Sequence, residues 1–196
     1  MYMKKILFID TETTGLNPIK NSLWQLAAYY RNSKGELLTL NLKCKPLDME
    51  NISDEALQVC HTTKEALAAL PETKELYTTF RDFLIQETRD GEKIIWAGYN
   101  YRFDQAFVES LFKHFDRKDS IWNFFDRHSV DMLDYMRLLR SMEVVNAPSL
   151  KLETAYKMFG VGTEAIHDAL EDAKVAYMLY QWATSTITKG LNNDRK

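Results

Sequence analysis

The sequence predicts an α/β domain built on a mixed five-stranded sheet, a three-stranded antiparallel part plus parallel strands, flanked by helices. Two patterns predict it. Three apolar runs come first and are joined by turn-forming residues. Afterwards, apolar runs of strand length alternate with segments of helical periodicity. A third observation sets the size. A chain of 196 residues with 45% hydrophobic and 27% charged residues suits one globular domain with its own core.

The first strand is centred on Ile6-Leu7-Phe8-Ile9, an apolar run of the kind buried on both faces of a sheet. Residues 23–30 and 36–43 follow as apolar-rich runs. Asn32-Ser33-Lys34-Gly35 between them reads as the turn of an antiparallel hairpin. Residues 46–53 form a polar connection. Short helices are expected over 54–60 and 63–70, with Ser53 and Thr63 placed to cap them. Pro71 suits the start of a helix over 72–86, where Leu76, Phe80, Phe83 and Leu84 recur at helical spacing. Arg89-Asp90-Gly91-Glu92 ends that pattern. Residues 94–99 then read as a buried strand that leads through Asn100 into a helix over 102–115. A short strand over 124–128 precedes a helix over 130–140. Pro148-Ser149 opens a helix that runs to Phe159 and ends at Gly160-Val161-Gly162-Thr163. A last helix spans 168–184. No linker or repeat interrupts this order, so residues 1–188 are expected to form a single domain and 189–196 a flexible tail.

Cys44 and Cys60 are the two cysteines, without a C-x-x-C, which excludes a disulfide framework and a zinc knuckle. Isolated thiols suit a reducing compartment, and the N-terminus lacks the length of a membrane span and the cleavage site of a signal peptide. The expectation is a cytoplasmic protein with no membrane association. The net charge of −3 is not that of a typical nucleic-acid binder. A cluster of acids in a site would mask a basic rim, however. Candidates for that rim are Lys93, Arg102, Lys113, His114, Arg117, Lys118, Arg127, Arg137 and Arg140, any of which also reads as ordinary solvated surface.

Three constellations carry chemistry. In Asp10-Thr11-Glu12-Thr13-Thr14-Gly15-Leu16 two acids stand two residues apart at the end of a buried strand, so both side chains point to one face. Like charges in a poorly solvated place are unfavourable unless a cation intervenes, and hard divalent ions prefer oxygen ligands. A D-x-E pair alone is common at solvated strand ends. The second constellation is Gly98-Tyr99-Asn100-Tyr101-Arg102-Phe103-Asp104, which puts an acid in the first turn of a helix. The helix dipole alone would justify that acid. Asp104 would also share the strand-end crevice where ligands bind in α/β sheets. The third is His167-Asp168-Ala169-Leu170-Glu171-Asp172. Five helical residues rotate by about 500°, so His167 and Asp172 converge only if His167 lies ahead of the helix. Asp168 and Asp172 share a face, and spacing alone does not choose between them as ligand.

Together these motifs resemble the DEDDh 3′→5′ exonucleases, the group that includes ribonuclease T and the polymerase proofreading subunit. The resemblance covers both ends and the middle of the chain. It departs at Tyr99, where many relatives carry histidine, and at Thr62, where Val59-Cys60-His61 is usually followed by glycine. It implies the ribonuclease H-like fold and selects Asp172 as the ligand, leaving Asp168 to start the helix. It further implies that Asp10, Glu12, Asp104 and Asp172 hold two divalent cations, Mg²⁺ or Mn²⁺, roughly 3.5–4 Å apart. Asp10 would bridge them and His167 would serve as general base. Thr13, Leu16, Asn100, Phe103 and His61 would meet the substrate, Phe103 reading equally as a core residue. The implied reaction removes nucleoside 5′-monophosphates from the 3′ end of single-stranded nucleic acid, with DNA slightly favoured over RNA. The alternatives are an exoribonuclease that trims RNA or short oligoribonucleotides, and a non-catalytic binding module on the same fold. A polymerase or replication partner is compatible with the resemblance.

Overall fold

The computed structural model describes residues 4–32, 35–159 and 167–193. Its five strands are β1 (Ile6–Thr13), β2 (Leu23–Arg31), β3 (Leu37–Lys43), β4 (Ile94–Gly98) and β5 (Phe125–Asp131), in the spatial order β3-β2-β1-β4-β5. β1 therefore lies in the middle. It pairs antiparallel with β2, which pairs antiparallel with β3; β4 runs parallel to β1, and β5 parallel to β4. This is the ribonuclease H-like arrangement that the resemblance implies.

Alternation along β1 divides the core between two faces. Leu7 and Ile9 pack against helices α3 (Thr73–Glu87) and α4 (Tyr101–Phe115) through Leu76, Phe80, Phe107 and Phe112. Phe8 faces the other way. It meets α5 (Met132–Ser141), α6 (Leu152–Phe159) and α7 (Ala169–Asn193) through Met136, Tyr156 and Tyr177. A smaller cluster of Trp24, Ile52 and Leu67 anchors the short helices α1 (Asp54–Val59) and α2 (Lys64–Ala68) beside the end of β2. Ser53 and Thr63 cap these two helices, as their residue types predict.

Two glycines are required by close approach. A Cβ on Gly98 would lie 2.9 Å from the Ile9 carbonyl oxygen, and one on Gly15 would lie 2.6 Å from the side chain of Asn21. Neither glycine has a positive φ. The turn after the acids therefore uses glycine for space rather than for a left-handed backbone.

The elements differ from expectation at three places. β5 runs three residues past His128, and α5 begins at Met132, because Asp131 ends the strand opposite Gly98 and caps the helix through the Leu133 N–H. α6 begins at Leu152, since Ser149 is engaged ahead of it with the Thr154 hydroxyl and the Lys151 N–H. α7 reaches Asn193, past Thr184 and through Gly190, where a tail is expected from residue 189. The hydroxyls of Thr184 and Thr188 bond back to carbonyls of their own helix, which lets a polar, exposed stretch stay helical. The glycine pair Gly160 and Gly162, and the end of the expected tail at 194–196, lie outside the described residues. Among the described residues no helix is long and apolar enough to cross a membrane.

Candidate active site

β1 outruns β4. The last pair between them is Phe8 with Ala97, so beyond it one edge of β1 lacks a strand partner. Asp104, in the first turn of α4, fills the gap: its Oδ1 accepts the Thr11 N–H at 2.9 Å and the Thr11 hydroxyl at 2.8 Å. Asp10 and Glu12 share the face of Phe8, the side covered by α7. Asp172, in the first turn of α7, meets them there. Asp10, Glu12 and Asp172 each offer an oxygen, and these oxygens lie within 4.8 Å of one another.

The structure therefore gathers three of the four predicted acids into one cluster and sets the fourth beside it. Asp104 remains close enough that, after burial, it is the largest cause raising the pKa of Asp10 well above the usual carboxylate range; Asp172 and Glu12 add to it. Burial chiefly, with the charge of Asp172, pushes Glu12 up to about 7, against the opposing hydrogen bond from the Cys60 thiol. Burial also raises Asp104, although the Thr11 hydrogen bonds act the other way. Asp172 rises through burial and the charge of Asp168. Acids held this close with so little compensating positive charge fit a hard divalent cation, because all the donors are oxygens and all are destabilised as bare anions.

His167 is exposed and sits immediately ahead of α7 with a left-handed φ of 44°. It thus lies outside the helix, the condition its spacing from Asp172 demands. Asp168 starts the helix, its Oδ1 accepting the Leu170 N–H.

Next to the acids is a cavity of about 430 Å³, lined by Thr11, Glu12, Thr13, Gly15, Leu16, Asn21, Ser53, Glu55, Ala56, Val59, Cys60 and Phe103. Thr14 fixes its floor by joining the loop to Ser22 and to the start of α1. Of the expected substrate contacts, Thr13, Leu16 and Phe103 line this cavity. Leu16 is 85% exposed, whereas Phe103 is half-buried against Phe107. Asn100 and His61 do not line it. Asn100 turns the chain from β4 into α4 with a φ of 63°, its N–H donating to Asp131. His61 has a φ of 48° and is exposed, and its neighbour Cys60 forms the wall instead. Several expected rim cations are engaged locally: Lys113 with Glu109, Arg137 with Asp134, and Lys93 with the Trp122 carbonyl.

Thr11, Gln25, Cys60 and Tyr156 are polar neighbours of the acids that the sequence reading leaves out. Gln25 left a trace: it is a lone amide inside an otherwise apolar run.

The family model for RNase T-type exonucleases matches residues 7–180. The chain belongs to the DEDD-type 3′→5′ exonuclease family. This exonuclease domain is 27% identical over 177 residues to a PolC-type DNA polymerase III of Latilactobacillus sakei. The match takes in 89% of the chain and 11% of the polymerase. Its fold is that of E. coli exonuclease I, solved with a dT13 oligonucleotide, at a TM-score of 0.75 and 21% identity. A zinc-bound E. coli exonuclease I–single-stranded DNA complex gives a TM-score of 0.74 and 22% identity. These superpositions cover 97% and 94% of the chain but 43% and 41% of the solved proteins. The exonuclease domain thus spans well under half of the relatives it matches.

Proposed function

We propose that the protein is a metal-dependent 3′→5′ exonuclease that removes nucleoside 5′-monophosphates from single-stranded nucleic acid, with DNA slightly favoured over RNA. One observation carries the reading: Glu12 belongs both to the acid cluster and to the cavity wall. A terminal nucleotide seated in that cavity presents its phosphodiester to the acids. The DNA-bound exonuclease I structures and the polymerase relative support DNA as the substrate class and replication as the setting.

Asp10, Glu12 and Asp172 would hold the cations, with Asp104 in support. Divalent cations of the Mg²⁺ or Mn²⁺ kind, when bound, supply charge for the attacking water and for the developing negative charge on phosphate. Leu16 and Phe103 offer apolar surface on which a base packs without regard to sequence. Thr13, whose hydroxyl donates to the Gly15 carbonyl, shapes the wall beside the terminal sugar. His167, free of the helix, would take the proton of the attacking water. Its oxygen bonds to phosphorus, the bond from phosphorus to the 3′-oxygen breaks, and that oxygen leaves as the new 3′-hydroxyl after protonation.

The test is digestion of 5′-labelled single-stranded DNA and RNA with Mg²⁺, with Mn²⁺ and with excess chelator. Stepwise shortening from a free 3′-hydroxyl is expected, faster on DNA, blocked by a 3′-phosphate and abolished by chelation. Cuts within a circular single strand, or full activity in chelator, would overturn the proposal.

A further inference from the structure

Gln25 is fully buried in a strand whose neighbours from Leu23 to Ala28 are apolar and buried. In register it lies beside Glu12 on one side and Lys43 on the other. Its Nε2 donates to Asp168 Oδ2 and to Asn41 Oδ1, both at 3.0 Å. Its Oε1 has no hydrogen-bond partner among the described residues. An unsatisfied buried acceptor costs about 1–3 kcal/mol, and a leucine of similar volume would carry no such cost. Stability alone therefore does not explain the amide. Residues that break a local rule in this way concentrate where function requires them.

What the amide holds is the start of α7. Asp168 Oδ2 also lies 3.6 Å from Lys43 Nζ. Asp168 Oδ1 accepts the Leu170 N–H, and its carbonyl accepts the Asp172 N–H at 3.0 Å. One residue thus pins the first turn of α7 to both β2 and β3, directly after His167. The acids that this turn brings together are like-charged and offer oxygens within 4.8 Å of one another, so as bare anions they repel. Without an anchor the turn is free to fray outward and relieve that repulsion.

We propose that Gln25 and Lys43, acting through Asp168, are positioning residues that latch the first turn of α7 so that Asp172 stays at the acid cluster and His167 is held directly ahead of it. The latch rests on the exonuclease reading for its use, while its mechanics do not depend on nucleic acid. Partners that orient metal ligands typically contribute 10- to 100-fold in metal affinity or activity.

The test compares the wild type with Gln25→Leu, Lys43→Met and Lys43→Arg by Mn²⁺ calorimetry, amide exchange at Leu170 and Asp172, melting temperature, and kcat and KM on an oligodeoxynucleotide. Gln25→Leu is expected to melt no lower than the wild type, yet to bind Mn²⁺ about 10- to 100-fold more weakly. Its amides at the start of α7 should exchange faster, and kcat should fall with KM held. Lys43→Met should move the same readouts less, and Lys43→Arg should restore them. Wild-type Mn²⁺ affinity and exchange in Gln25→Leu would overturn the latch. If Gln25→Leu does not fold, Lys43→Met, at a half-exposed position, decides by the same readouts. If the wild type digests no nucleic acid, the exonuclease reading falls, while the Mn²⁺ and exchange results still judge the latch.

Discussion

Replacing His167 by alanine separates proton transfer from metal holding. The imidazole is outside the acid cluster, so its loss should leave Mn²⁺ affinity and melting temperature near the wild type. Turnover should fall by about 10²- to 10⁴-fold, as general-base losses typically do. Calorimetry beside a steady-state assay checks both halves; weakened Mn²⁺ binding would make the histidine a ligand instead. Its backbone bears on the same point. His61, Asn100 and His167 all hold a positive φ, a strained conformation for side chains of this kind, and each adjoins a residue or element of the site. Thr11 acts in the opposite sense, by satisfying an acid. Thr11→Val removes the hydroxyl bond to Asp104 and keeps the N–H bond, so urea unfolding at alkaline pH should show a loss of about 1.5–3 kcal/mol. These acids were legible in the sequence because motif residues sit close together along the chain. The Gln25–Asp168 contact was not, since it joins positions 143 residues apart and depends on where α7 lands.

The elements read most accurately were those whose two faces differ most. β1 opens on a run of buried apolar residues, and α3 and α4 carry regular apolar stripes; all begin within a residue or so of expectation. β5 is an edge strand with exposed Arg127 and His128 at its centre, so its alternation is too weak to mark its end. The end of α7 was hidden for a related reason. After Ala183 it leaves the core, and the hydrophobic period that marks a helix disappears while the helix goes on. The junction of β1 with β4 carries its own prediction. Gly98→Ala sets a Cβ against the Ile9 carbonyl two residues ahead of Asn100, so the strands must part. A loss of about 1–3 kcal/mol is expected in thermal or urea unfolding, with lower turnover because α4 carries Asp104 from that joint. An unchanged melting temperature would show that the joint yields without cost.

For the molecule as a whole, the acid cluster sets how stability responds to pH. Glu12 titrates near 4.5 when unfolded and about 7 when folded, and Asp10, Asp104 and Asp172 shift in the same direction. Between those values the folded chain binds more protons than the unfolded one, so stability falls as pH rises. The metal-free protein should therefore melt lower at about pH 8 than at about pH 5, with Glu12 alone contributing on the order of 3 kcal/mol. Saturating Mn²⁺ should flatten this dependence and raise stability by about 2.7 kcal/mol at a hundred times its dissociation constant. Melts in chelator and in Mn²⁺ across that range check it, and a melting temperature that rises with pH in chelator would contradict the assignment of the acids. The order of the chain adds a consequence in time. Asp10 and Glu12 are made well before Asp172, which belongs to α7 and so to the helix that packs across β1 and β2. At synthesis rates of about 5–20 residues per second, roughly 10–30 s separate the first acid from the last. Throughout that interval the nascent chain has its sheet acids but not the helix that completes the cluster, so the site cannot assemble until α7 has been made.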